Sequence, residues 1–232
     1  MTIPSAEDVM ESVTVERFQL RNWKKHRDDE LYPPGGYPFF ASYAEYNGQR
    51  FTRRIVFEHF AQSAAKGVIS AIKWGYPNGG RPGGIWRPFS AAFRSTGYVD
   101  AINELRVTPA PSAFAIVSRL NRIVPGVGTA TTTKIAYFAR LKSSDGPGSV
   151  EIECLIYDSM VRRAIAHRHD PDFVDLRSEL IHLLRDISPA AQEATYGLYL
   201  QSVHAAALRH RVRSDQIELF LFRFGRGLPP RR

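Results

Sequence analysis

The stretch Ser112-Ala-Phe-Ala-Ile-Val-Ser-Arg-Leu-Asn-Arg-Ile123, Val124-Pro125-Gly126-Val127-Gly128, Thr129-Ala-Thr-Thr-Thr-Lys134-Ile-Ala-Tyr-Phe-Ala139 decides the fold. Its first part puts Ala113, Ile116, Val117 and Leu120 on one helical face. Pro125 disfavours α geometry at Val124, so that helix ends there. Gly126 and Gly128 permit a tight turn and a close backbone approach. Val127 can plug the space between two helices, and Thr129 can cap the second. The free amides of the turn and of the helix start then point outward, where a phosphate would fit.

Helical periodicity continues on both sides. It is expected over 53–73, where Ile55, Val56, Phe60, Ala64, Val68, Ile69 and Ile72 recur at three or four. Further helices are expected near 89–105, 129–140, 159–168, 173–187 and 189–210, with Ser188-Pro189 as N-cap and first-turn proline of the last. Residues 150–157 and 217–224 are apolar enough for short strands or buried helix. The stretch from Trp74 to Gly84 holds five glycines and two prolines. It reads as a flexible connection, with a binding loop as the other reading and Trp74, Tyr76, Trp86 and Arg87 available to stack. The balance is all-α, in two lobes. Residues 1–50 are expected to pack on a core domain of 51–225, followed by a basic tail, 226–232.

The 232 residues carry 31 Lys plus Arg against 23 Asp plus Glu, a formal net charge of +8. Apolar residues make up 44%, which supplies a core and argues against a disordered chain. No run is long and apolar enough to cross a membrane, and the opening residues do not read as a signal peptide. Cys154 is the lone cysteine, which excludes an internal disulfide and a multi-cysteine metal site, and a reducing cytoplasm is expected. From Arg209 onward seven arginines face only Asp215 and Glu218, either a phosphate-facing surface or a solvated tail.

The Val-Pro-Gly-Val-Gly turn between two helices resembles the helix-hairpin-helix motif of DNA-repair glycosylases. Bifunctional members of that superfamily carry a lysine on the second hairpin helix and an aspartate about twenty residues later, at the start of another helix. Here Lys134 lies on the second helix, and Asp158 follows 24 residues on in Leu155-Ile-Tyr-Asp158-Ser-Met-Val-Arg-Arg163. The segment Ser143 to Gly148 between them reads as a loop insertion. In the best-known 8-oxoguanine glycosylases the lysine directly follows the turn. That position is Ala130 here, and Lys134 sits one helical turn further along on roughly the same face.

The pattern Gly-x-Gly-x-x-x-x-Thr-Lys-x-x-Tyr-Phe is similar to a bacterial branch with the 8-oxoguanine glycosylase fold. So are the Asp158 segment and the ending Asp215-Gln-Ile-Glu-Leu-Phe-Leu-Phe222. That resemblance spans roughly residues 50–225. It implies an all-α, two-lobed, helix-hairpin-helix glycosylase-like fold. It implies a DNA N-glycosylase, with AP-lyase activity in view, acting on an oxidised or modified guanine. Anti-phage defence and protein partners from a defence operon are implied by the resemblance alone.

On this reading Lys134 attacks the sugar C1′ of a flipped nucleotide. Asp158 takes the ammonium proton or stabilises the oxocarbenium charge. Val124, Gly126, Val127, Gly128, Thr129 and Thr131 meet the DNA, with a monovalent cation at the hairpin as the one non-protein group; no other cofactor and no metal are expected. Thr129, Thr131, Thr132 and Thr133 crowd a helix start although threonine is a poor helix former, so their hydroxyls meet the DNA backbone or cap the helix.

Other readings stay open. Asp158 is a standard N-cap residue, and Lys134 could snorkel or bind phosphate. His167, His169 and Asp170 read as a charged helix end, His204 and His210 lack a paired ligand, and Cys154 reads as core. The alternative function is a catalytically inactive module of the same fold that binds nucleic acid, a purine-like base or a defence-complex partner.

Overall fold

The computed structural model describes residues 3–14, 16–18, 45–76, 97–106, 109–123, 127–166 and 189–228. Among them the chain is helical apart from one small antiparallel hairpin, as an all-α glycosylase-like fold requires. The elements are α1 (Ala6–Met10), α2 (Arg53–Gln62), α3 (Ala64–Gly75), α4 (Gly97–Leu105), α5 (Ala113–Ile123) and α6 (Thr129–Phe138), then β1 (Lys142–Ser143), β2 (Ile152–Glu153), α7 (Ser159–Ile165), α8 (Pro189–His210) and α9 (Ser214–Gly227).

The periodic stretch expected as one helix over 53–73 is two. Ser63 takes extended geometry, and its hydroxyl accepts from the Lys66 amide to start α3. This is N-cap chemistry that apolar spacing does not register. Trp74 and Gly75, read as the opening of a flexible connection, complete α3. Trp74 is buried, edge-on to Phe138, so it is not free to stack on a ligand. Trp86, Arg87, the helix expected over 173–187, Ser188, His167, His169, Asp170 and the last arginine pair lie outside the described residues.

The Ser143–Gly148 insertion forms the turn of the β1–β2 hairpin, paired Lys142 with Glu153 and Ser143 with Ile152. Its Asp145 carboxylate accepts from the Ala113 amide and so caps α5 from outside the helix. The ambiguous 217–224 stretch is helix, inside α9, which runs to Gly227, past the expected start of the tail at 226.

One apolar core joins these elements. Ala113, Ile116, Val117 and Leu120 of α5 enter it, with Val127 from the turn and Ile135, Ala136 and Phe138 from α6. At about 25 cal/mol per Å² of apolar surface, each large side chain buried this way contributes about 1.5–3 kcal/mol. α1 packs against α9 and α2; Gln216 donates to the Pro4 carbonyl and the Arg53 amide to that of Ser12. No helix among the described residues is long and apolar enough to cross a membrane.

Candidate active site

Two segments distant in sequence bring one cation and one anion together. Lys134 Nζ donates to Asp158 Oδ2 at 3.1 Å, and both side chains are nearly buried, 7% and 10% exposed. The same ammonium lies 3.3 Å from the Ala130 carbonyl, one turn back on α6.

The lysine stem needs space, which Gly75 provides. A Cβ there would stand 2.8 Å from Lys134 Cδ, closer than packed carbons come. The last residue of α3 therefore shapes the lysine's channel. Tyr76, which follows it, shares a hydrogen bond of 2.6 Å with the Thr131 hydroxyl and ties the end of α3 to α6.

Asp158 is held by more than its charge. Oδ1 accepts from the Met160 and Val161 amides at 3.0 and 3.1 Å, so the residue is the N-cap of α7 and an ion-pair partner at once. Burial alone would push its carboxyl up. The Lys134 charge and the two α7 amides outweigh that and hold it below the usual carboxylate range. It is an anion at neutral pH.

The extended run leading to Asp158 is stitched on both flanks. On one, the Tyr157 amide donates to the Thr133 hydroxyl at 3.1 Å. On the other, Tyr196 donates to the Leu155 carbonyl at 2.8 Å and accepts from the Leu155 amide, while Tyr199 donates to the Ile156 carbonyl at 2.9 Å. Cys154 lies inside this run, its thiol pushed up to about 12 mainly by burial, so it is not a ready nucleophile.

The four α6 threonines are all buried. Gly128, at φ +75° and ψ 157°, is the N-cap of α6, and Thr129 is the first helical residue. The cap is thus a glycine with no side-chain bond rather than the Thr129 hydroxyl. Thr131 reaches Tyr76 and Thr133 reaches Tyr157. The Thr132 hydroxyl lies 2.5 Å from Asn121 Oδ1, whose amide donates to Glu193 of α8. These hydroxyls bind helices to one another. Gly128 is exposed and Val127 sits in the core. Val124 and Gly126 lie outside the described residues.

Beside the pair is a buried charged cluster that sequence reasoning missed. Arg53 grips Glu218 with two bonds, 2.6 and 3.1 Å, and donates to the Tyr137 hydroxyl. Its guanidinium lies 5.1 Å from the centres of both the Trp74 and Tyr137 rings. Trp74 precedes Gly75 on α3, and Tyr137 is one turn past Lys134 on α6, so Arg53 touches both helices that border the lysine. Each of the two acids of the arginine-rich ending is spoken for, Glu218 by Arg53 and Asp215 by Arg213. Arg209, Arg211, Arg223 and Arg226 are exposed. His204 bonds Ser214 and the Glu153 carbonyl, and no group of three metal-ligating side chains occurs among the described residues.

Residues 10–222 match the family described as "Putative 8-oxoguanine DNA glycosylase OGG-like protein". No curated protein and no solved structure matches the chain.

Proposed function

From a chain that belongs to the OGG-like 8-oxoguanine DNA glycosylase family, we propose a DNA N-glycosylase with lyase activity that removes an oxidised or modified guanine. Lys134 is its nucleophile and Asp158 its electrostatic partner. The observation that supports this most is the 3.1 Å contact between the two side chains, made across 24 residues of chain at a site almost closed to water.

The chemistry runs as follows. A nucleotide is extruded from the strand, at a cost of a few kcal/mol that is least for a damaged base. Lys134 gives up its ammonium proton, which ends on the departing base, and the free amine bonds to C1′ in place of the base. The bond from C1′ to the base breaks, and the base leaves with that electron pair. Loss of a proton from Nζ and opening of the sugar ring leave a C1′=Nζ Schiff base. Abstraction of a C2′ proton then expels the 3′ phosphate and cuts the strand.

Asp158 is an anion locked by two amides, so it faces the positive charge that develops at the sugar without having to move. That favours stabilising the oxocarbenium over keeping the ammonium proton.

The exposed turn at Gly128, with the first α6 amides that have no carbonyl to bond within the helix, is the proposed phosphate seat, directly or through a monovalent cation. Val124, Gly126, Val127 and Thr129 join the proposed seat on the motif resemblance alone. Thr131 supports it from within, through Tyr76. The proposed setting, cytoplasmic anti-phage defence alongside protein partners, rests on the motif resemblance alone.

The ion pair also favours a second reading, a binding module in which Lys134 never leaves Asp158. Release of free base separates the two. Incubation with duplexes carrying 8-oxoguanine should liberate the base, and Lys134→Gln should abolish release while leaving DNA affinity in place. Binding without release by the unaltered protein, across a panel of modified guanines, supports the module instead.

A further inference from the structure

A cavity of about 850 Å³ opens on another face of the core, and neither Lys134 nor Asp158 lines it. Its size is that of small-molecule sites, which run to roughly 300–1,000 Å³. Its walls come from α2, α6, β2, α8 and the start of α9. Phe57 and Tyr137 form an aromatic side, and Leu208 and Val212 face the cavity from the end of α8 and the turn after it. Leu208, which lines the cavity, is 80% exposed.

The polar groups divide into two kinds. Asp215 lines the cavity with a side chain only 3% exposed. Its Oδ2 accepts from the Tyr137 hydroxyl and from Arg213. Its Oδ1 has no hydrogen-bond partner among the described residues. A buried carboxylate oxygen left empty is costly, and a donor arriving from outside would relieve it. Two arginines supply the other kind. Arg140, two residues past α6, holds φ +54°, and its guanidinium lies 5.1 Å from the centre of the Phe57 ring. Arg213 stands beside Asp215 and is half exposed.

An apolar slot with an aromatic wall, an acceptor waiting for an N–H, and two cations is complementary to a planar heterocycle bearing an anionic group. We propose that this cavity is a second ligand site, for a nucleotide: the base enters the apolar slot, an amino or imino hydrogen meets Asp215 Oδ1, and the phosphate meets Arg140 and Arg213. The chemistry is shared by a free nucleotide and by one turned out of a strand. The site does not depend on Lys134 chemistry.

The test uses the full chain and two probes. In the first arm dGMP, with guanine beside it, is titrated by calorimetry into the protein, Arg140→Ala, Asp215→Asn and Lys134→Ala. In the second a duplex containing 2-aminopurine is titrated into the same four proteins and its fluorescence followed. Arg140 is exposed and its truncation leaves the core intact, so it guards against a folding defect in Asp215→Asn.

A dGMP signal weakened about tenfold by either cavity variant but not by Lys134→Ala supports the site and assigns it to free nucleotides. The same pattern seen only with the 2-aminopurine duplex supports it and assigns it to a strand-borne nucleotide. Binding that Lys134→Ala abolishes, binding indifferent to both cavity variants, or no binding of either probe overturns it.

Discussion

A methyl group at Gly75 would stand 2.8 Å from the Cδ of Lys134, so the end of α3 and the lysine stem occupy one continuous space. Gly75→Ala must therefore push the lysine off its present path while changing no charge. It should slow Schiff-base formation about tenfold or more, because misplacement of a reacting atom is costly, and leave the thermal midpoint close to that of the unaltered protein. Single-turnover trapping kinetics beside a melting curve check this; an unchanged rate means the stem is not held there.

Asp158 has two structural duties that substitutions can separate. Asp158→Ala removes the cap of α7 and strands the Lys134 ammonium, and should cost about 3 kcal/mol or more. Asp158→Asn keeps an oxygen for the two amides and should cost less. In the unaltered protein this carboxyl sits below its ordinary value. Its contribution is therefore present above the unfolded carboxyl range and is lost as pH falls through the lowered value. Denaturant unfolding of both variants at neutral pH should rank them in that order, and equal losses would mean the cap is idle.

Arg53 and Glu218 form a buried pair whose members depend on each other. Burial raises the Glu218 carboxyl against the pull of Arg53, so removing the arginine leaves an acid with no compensation. Arg53→Met should destabilise by about 3–5 kcal/mol. Adding Glu218→Leu should recover a large part of the loss, as coupled partners do. Additive losses in the double variant would contradict the coupling.

His59 predicts an acid limb. Burial, followed by the Lys66 and Lys73 charges, pushes its imidazole down to about 4 from an ordinary 6.5. Between those values the unfolded chain binds a proton that the folded chain refuses. Stability should fall as pH drops through that window, and this group adds no further loss below it. His59→Asn should flatten the limb in urea unfolding followed across the window; an unchanged slope would place its origin elsewhere.

Much of the hairpin was legible because its signals are local. The α5 stripe, the end of that helix at Ile123 and the α8 start at Pro189 are each written within a few residues. The break at Ser63 was missed because apolar spacing continues through it. Gly75 was hidden in a glycine-rich stretch, where every glycine reads as a loop; its purpose is set by Lys134, almost sixty residues away. The threonines of α6 signalled a broken local rule, and the reason lies in partners on α3, α5 and the run before α7. Arg53 and Glu218 are separated by 165 residues, and no spacing announces such a pair.

Gly128 holds φ +75° and ψ 157°, a region close to glycine-only. Gly128→Ala should cost about 1–3 kcal/mol of stability and weaken DNA binding, since the turn it shapes is the proposed phosphate seat. Electrophoretic shift with an undamaged duplex reads the second effect; retained affinity with the expected loss of stability would remove the turn from the DNA interface.

The most direct test of the central claim is borohydride trapping followed by peptide mapping. The protein is incubated with duplexes carrying 8-oxoguanine or an abasic site, reduced, digested and sequenced by mass spectrometry. A covalent sugar adduct on Lys134, absent in Lys134→Gln and diminished in Asp158→Asn, is the expected result. An adduct on another amine, or no adduct on any substrate that the protein demonstrably binds, would contradict the assignment of Lys134 as the nucleophile.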